Sequence, residues 1–95
     1  MSLNDNMPRF EKEIIIKNPQ GLHARPAAMF VQIASKYDAI VNIIKGCEKV
    51  SGKSIMGILT LGANQNSKIL IQVEGEEAEK VLRELETFLT SPEPI

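Results

Sequence analysis

Tryptophan is missing from the 95 residues, and histidine and cysteine occur once each. A single cysteine, Cys47, excludes an internal disulfide and suits a reducing cytoplasm. One histidine beside one cysteine leaves too few ligands for a structural zinc site, so neither metal nor cofactor is expected. An excess of charge of either sign is missing too, since 11 basic residues against 12 acidic ones give a formal net charge of −1. With no basic run, and with Phe10, Phe30, Tyr37 and Phe88 as the aromatics, a nucleic-acid surface is not expected. No apolar stretch approaches the ~20 residues that span a bilayer. The first residues also lack the hydrophobic core of a secretion signal, so the expected location is cytoplasmic. The remaining composition is ordinary, 43% hydrophobic and 24% charged, in a length that supports one core.

Taken in order, residues 1–9 are polar and without period, and read as a flexible extension with Met7 as an alternative start. Phe10 to Lys17 reads as a strand, with Phe10, Ile14 and Ile16 on one face and Ile15 on the other. A helix is expected from about Ala24 to Lys36. Its stripe is Ala27, Phe30, Val31 and Ala34, widened by Met29 and Ile33. Ile40 to Lys45 is a β-branched second strand. Gly46-Cys47-Glu48 turns it into a brief third near Lys49 to Ser51, which Gly52 ends early. Ser54 reads as the N-cap of a short helix over Ile55, Met56, Ile58 and Leu59. Asn64-Gln65-Asn66-Ser67 is a polar loop. Lys68 to Glu74 alternates, placing Ile69, Ile71 and Val73 on one face, and reads as a fourth strand. Ala78, Val81, Leu82, Leu85, Phe88 and Leu89 then follow helical spacing. Residues 91–95 form a tail, because Pro92 and Pro94 cannot continue that helix. The order βαββαβα predicts an α+β open-faced sandwich, a four-stranded, mostly antiparallel sheet with three helices on one face. Residues 10–90 form its single domain.

The chemistry concentrates between Asn18 and Ala28. Pro26 fits the first turn of a helix, because the amide it lacks has no intrahelical partner there. His23 therefore sits at a helix N-terminus, where unpaired amides and the helix dipole favour an anion. Arg25 adds a planar fork of donors suited to phosphate oxygens. A cation in that turn opposes the dipole by roughly 0.3–1 kcal/mol, a cost that holding phosphoryl oxygens would explain. Imidazole, amides and guanidinium together suit a residue that accepts and passes on a phosphoryl group.

Gly21-Leu22-His23-Ala24-Arg25-Pro26-Ala27 resembles the active-site motif of the histidine-containing phosphocarrier (HPr) family of the bacterial phosphotransferase system. Independently, Lys53-Ser54-Ile55-Met56-Gly57-Ile58-Leu59-Thr60-Leu61-Gly62 resembles that family's regulatory serine region. The likeness runs from about Phe10 to Leu89. It implies the same four-stranded, three-helix fold and a carrier that is a protein co-substrate, not an enzyme by itself. In that role His23 would take the group through Nδ1 from enzyme I and yield it to IIA domains of sugar transporters, with Arg25 balancing the charge. Gln20, Gly21 and Ala24 would support the phosphate, while Ile55 and Met56 would form part of a docking face. Ser54 would be phosphorylated by HPr kinase/phosphorylase, placing negative charge beside that face. A carrier that visits several partners is expected to be a monomer. The alternative within the family is a mainly serine-phosphorylated regulator in carbon or nitrogen signalling that docks on transcriptional regulators.

Overall fold

The computed structural model describes residues 7–94. Its elements run β1 (Arg9–Ile15), α1 (Ala24–Ser35), β2 (Ile40–Lys45), β3 (Glu48–Ser51), α2 (Ile55–Thr60), β4 (Lys68–Glu74) and α3 (Ala78–Thr90). The strands form one sheet in the order β1-β4-β2-β3, and every neighbouring pair is antiparallel. This is the expected βαββαβα open-faced sandwich. Residues 1–6 of the expected extension and Ile95 of the tail lie outside the described residues.

Alternation in β4 sets the layers. Ile69, Ile71 and Val73 are buried on the helix side, joined by Ile14 of β1 and by Val41 and Ile43 of β2. Against them α3 lays Ala78, Val81, Leu82, Leu85 and Leu89, and α1 lays Ala27, Phe30 and Ala34. Each such large apolar side chain contributes roughly 1.5–3 kcal/mol by leaving water. The opposite face carries rows such as Glu11–Gln72–Asn42 and stays open.

Three details differ from the sequence reading. The β1 ladder starts at Arg9 and stops at Ile15, two residues before the expected Lys17. Beyond it the Ile16 amide donates to Ser67 O at 3.0 Å and the Lys17 amide to Leu89 O at 2.8 Å, so the chain has already turned towards its neighbours. Phe10, expected on one face with Ile14 and Ile16, is 41% exposed while those two are buried. It lies at the start of an edge strand beside Glu77, Lys80 and Arg83, on the polar flank of α3, so its parity is right but no apolar layer covers it. Gly52 does more than end β3. A Cβ there would stand 2.5 Å from Val41 Cγ1 and 3.1 Å from Phe30 Cε1, and the Gly52 amide donates to Val41 O at 2.7 Å.

The end of α1 is tied to α3 by charge. Lys36 Nζ and the Tyr37 hydroxyl both donate to the Glu84 carboxylate, and Lys36 and Lys80 lie 5.6 and 5.8 Å from the Tyr37 ring centroid. The hydrogen bonds from Lys36 and Tyr37 hold the Glu84 carboxyl below its ordinary value, while the bond to Glu84 raises both Lys36 and Tyr37. A depressed carboxyl stabilises the fold above its unfolded pKa, and that contribution fades as pH falls through the folded one. The raised lysine and tyrosine stabilise it below their unfolded values and lose this as pH rises through the folded ones. Glu84→Gln should therefore lower the thermal midpoint at neutral pH and flatten the decline at both pH extremes. A calorimetric pH series on the two proteins checks it, and parallel curves would count against the tie.

Candidate functional site

The loop after β1 is closed by its own residues. Asn18 is fully buried, its Nδ2 donates to Gly21 O at 2.8 Å, and the Gly21 amide donates to Asn18 O at 3.1 Å. Gly21 then has φ +62°, a left-handed conformation open to glycine at little cost. Leu22 is buried and anchors the chain, its amide donating to Ala63 O at 2.9 Å. His23 follows as the N-cap of α1, extended at φ −112° and ψ 154°, but its side chain makes no capping hydrogen bond. Pro26 falls in the first turn, as its missing amide predicts.

The helix start is left open to an anion. It has no side-chain cap and no acidic residue in its first turn. Ala24 and Arg25 are exposed, and among the described residues the Arg25 guanidinium has no hydrogen bond or ion pair. Ala24 adopts φ +44°, which costs an L-residue roughly 1–2 kcal/mol and places strain directly after the histidine. Gln20 is half-buried in the same loop and is held by an interaction of its own.

The His23 ring turns away from the cap position to a loop 41 residues on, with Nε2 at 2.5 Å from Asn64 Oδ1. In the sequence that loop shows only as a polar turn, Asn64-Gln65-Asn66-Ser67. It is held firmly, because Asn66, at φ +72°, donates its amide to Ile16 O at 2.7 Å and Gln65 Nε2 donates to Lys17 O at 3.2 Å. The signal that finds it is strand pairing. Ile15 and Lys68 are ladder partners, so the loop entering β4 must lie beside the loop leaving β1.

Ser54 is the N-cap of α2, its Oγ accepting from the Gly57 amide at 3.1 Å. Such a cap contributes near 1 kcal/mol. Among the described residues no hydrogen bond joins Ser54 to His23. Ile58 points inward and is buried, whereas Ile55, Met56 and Leu59 are exposed, Met56 at 73%. Three exposed large apolar side chains on two turns form a patch, and α2 packs on α1, the helix that carries His23. Phe30, by contrast, belongs to the core. Gly21, His23, Ala24 and Arg25 thus share one loop and helix start, joined by Asn64, with Ile55 and Met56 on the adjoining helix.

Comparison with known proteins gives a consistent result. Residues 10–91 match the family model described as the PTS HPr component phosphorylation site. The chain is 39% identical over 84 residues to the phosphocarrier protein HPr of Buchnera aphidicola subsp. Acyrthosiphon pisum (strain APS), covering 88% of this chain and 99% of that one. It is 38% identical over 79 residues to the HPr-like protein Crh of Halalkalibacterium halodurans, covering 83% and 94%. The crystal structure of a phosphocarrier protein HPr from Bacillus anthracis str. Ames is similar to it with a TM-score of 0.83 at 40% identity, covering 85% and 96%.

Proposed function

This chain belongs to the HPr family of phosphotransferase-system phosphocarriers, and from that premise we propose that His23 accepts a phosphoryl group from phosphorylated enzyme I and yields it to IIA domains of sugar transporters. The observation that carries the reading is the half-exposed imidazole at an uncapped helix start, with the unpaired guanidinium of Arg25 two residues on. Nδ1 attacks phosphorus in line as the donor's N–P bond breaks, and that bond's electron pair leaves with the donor nitrogen. The amides at the start of α1 and Arg25 face the oxygens of the transferred group. Residues 10–90 are the carrier domain. Ala24, Gly21 and Gln20 shape the phosphate side of the site, and Ile55 and Met56 the docking side.

A carrier must release what it accepts. Stabilising the phosphorylated state as strongly as the transition state would halt onward transfer, and an exposed site with one cation meets that limit. The protein is then a co-substrate, acting as a cytoplasmic monomer, and not a catalyst alone. No helix among the described residues is long and apolar enough to cross a membrane.

Incubation with enzyme I and phosphoenolpyruvate, followed by intact mass spectrometry, tests the reading. One acid-labile phosphate is expected, absent in His23→Ala. No gain with an enzyme I that phosphorylates another carrier would retire it. Ser54 supports a second, compatible role as a substrate of HPr kinase/phosphorylase, since its hydroxyl borders the exposed Ile55 and Met56. An acid-stable phosphate lost in Ser54→Ala would establish that arm. If only this arm appears, the protein is a serine-controlled regulator that docks on transcriptional regulators.

A further inference from the structure

The geometry points to Asn64 as a positioning residue for phosphoryl transfer, one that holds the His23 ring with its proton on Nε2 and its lone pair on Nδ1; this rests on the carrier reading for its functional consequence only. An amide oxygen accepts and cannot donate, so the 2.5 Å contact between Asn64 Oδ1 and His23 Nε2 requires an N–H on Nε2. In the neutral ring there is one proton, and Nδ1 is left with the free pair. The ring is also fixed in direction, because it is held from the side opposite the attacking nitrogen.

The acceptor is itself immobilised. The Asn64 amide donates to Ser67 Oγ at 2.9 Å, and the Ser67 amide donates back to Asn64 O at 3.0 Å. The preceding residue is tied to the histidine's own loop through Leu22 N–H to Ala63 O at 2.9 Å. Gly21 lies so close beneath that a Cβ would stand 2.8 Å from Asn64 Cα. Oδ1 is therefore a fixed acceptor and not a passing contact.

The bond strengthens as the reaction proceeds. When Nδ1 forms its bond to phosphorus, the ring gains positive charge and Nε2 keeps its proton, so Nε2–H becomes the donor of a charge-assisted hydrogen bond. Onward transfer returns the electron pair to Nδ1 and the ring to neutrality. Asn64 thus supports both directions by the same contact, without touching the phosphoryl group.

Nitrogen NMR on the unphosphorylated protein provides the first test. The native protein should show a single neutral form protonated at Nε2, with a ring N–H slow enough in exchange to be seen. Asn64→Ala should lose that protected signal and mix the two forms, and Asn64→Asp, which keeps an acceptor, should restore it. The second test uses phosphoramidate, a small phosphoryl donor that needs no protein docking. Asn64→Ala should accept phosphate from it about 5- to 30-fold more slowly, the size of a hydrogen bond to a group gaining charge. A protected Nε2 proton in Asn64→Ala with a rate within about twofold of native would overturn the assignment, as would Asn64→Asp behaving like Asn64→Ala. If the native protein takes phosphate from phosphoramidate but not from enzyme I, the partner in the carrier reading falls while Asn64 stands. If it takes none from either, the carrier reading falls and the NMR result alone decides on Asn64.

Discussion

Gly21→Ala should lower stability by about 2–5 kcal/mol and separate His23 from Asn64. Two costs combine. At φ +62° the backbone is in a region that an L-side chain occupies only with strain. The new Cβ would also stand 2.5 Å from Ala63 O and 2.8 Å from Asn64 Cα, which are backbone atoms and cannot swing aside. Relief requires the 62–67 loop to retreat, breaking the bond from the Leu22 amide and carrying the Asn64 oxygen off the ring. Gly46 provides the control. It has φ +60° but nothing within 4 Å of the added carbon, so Gly46→Ala should lose only the conformational part, about 1 kcal/mol, and keep full phosphoryl acceptance. On a domain of this size the Gly21 loss corresponds to a fall in melting midpoint on the order of 10–30 °C. Calorimetry with phosphoramidate labelling of both variants reads stability and site together. Equal losses would mean that the loop contact is unimportant.

That contrast explains what was legible in the sequence. β4 and α3 could be read outright, because Ile69, Ile71 and Val73 keep period two and Ala78 to Leu89 keep the helical period, and both patterns reflect one buried face. Phe10 shows the limit of parity. It occupies the buried side of β1 but lies where α3 presents charges, and which layer ends where is a tertiary fact. The helix-start chemistry of His23 and Arg25 is local and could be read from Pro26 and the spacing. Asn64 is not local. Its contact spans 41 residues and exists because β4 enters the sheet between β1 and β2, an order no turn or period announces. Gly21 hid the same fact. Its residue type signals a turn, but the reason for glycine is the backbone of a distant loop passing beneath it.

Met56→Asp should leave stability within about 0.5 kcal/mol of native, as expected for an exposed position, and still slow phosphoryl acceptance from enzyme I by about 30- to 1000-fold. Met56 is 73% exposed, so the folded protein gives up little apolar burial when it is replaced. It is the second residue after the Ser54 cap, where a carboxylate meets the positive end of α2 and offsets the weaker helix propensity of aspartate. In a docked complex the balance reverses. A carboxylate closed into an apolar contact without a partner costs several kcal/mol, of which about 2–4 would remain after relaxation and water entry. With phosphoramidate the variant should react at the native rate, because that donor reaches His23 without covering α2. A parallel loss with both donors would move Met56 from the docking face into the chemistry of the histidine. No loss with either would show that the exposed Ile55, Met56 and Leu59 patch lies outside the enzyme I contact. Ser54 phosphorylation should then act as a graded form of the same substitution. It would add more charge two residues away, with the Gly57 amide already committed to the serine oxygen, and its effect should likewise appear with enzyme I and vanish with phosphoramidate.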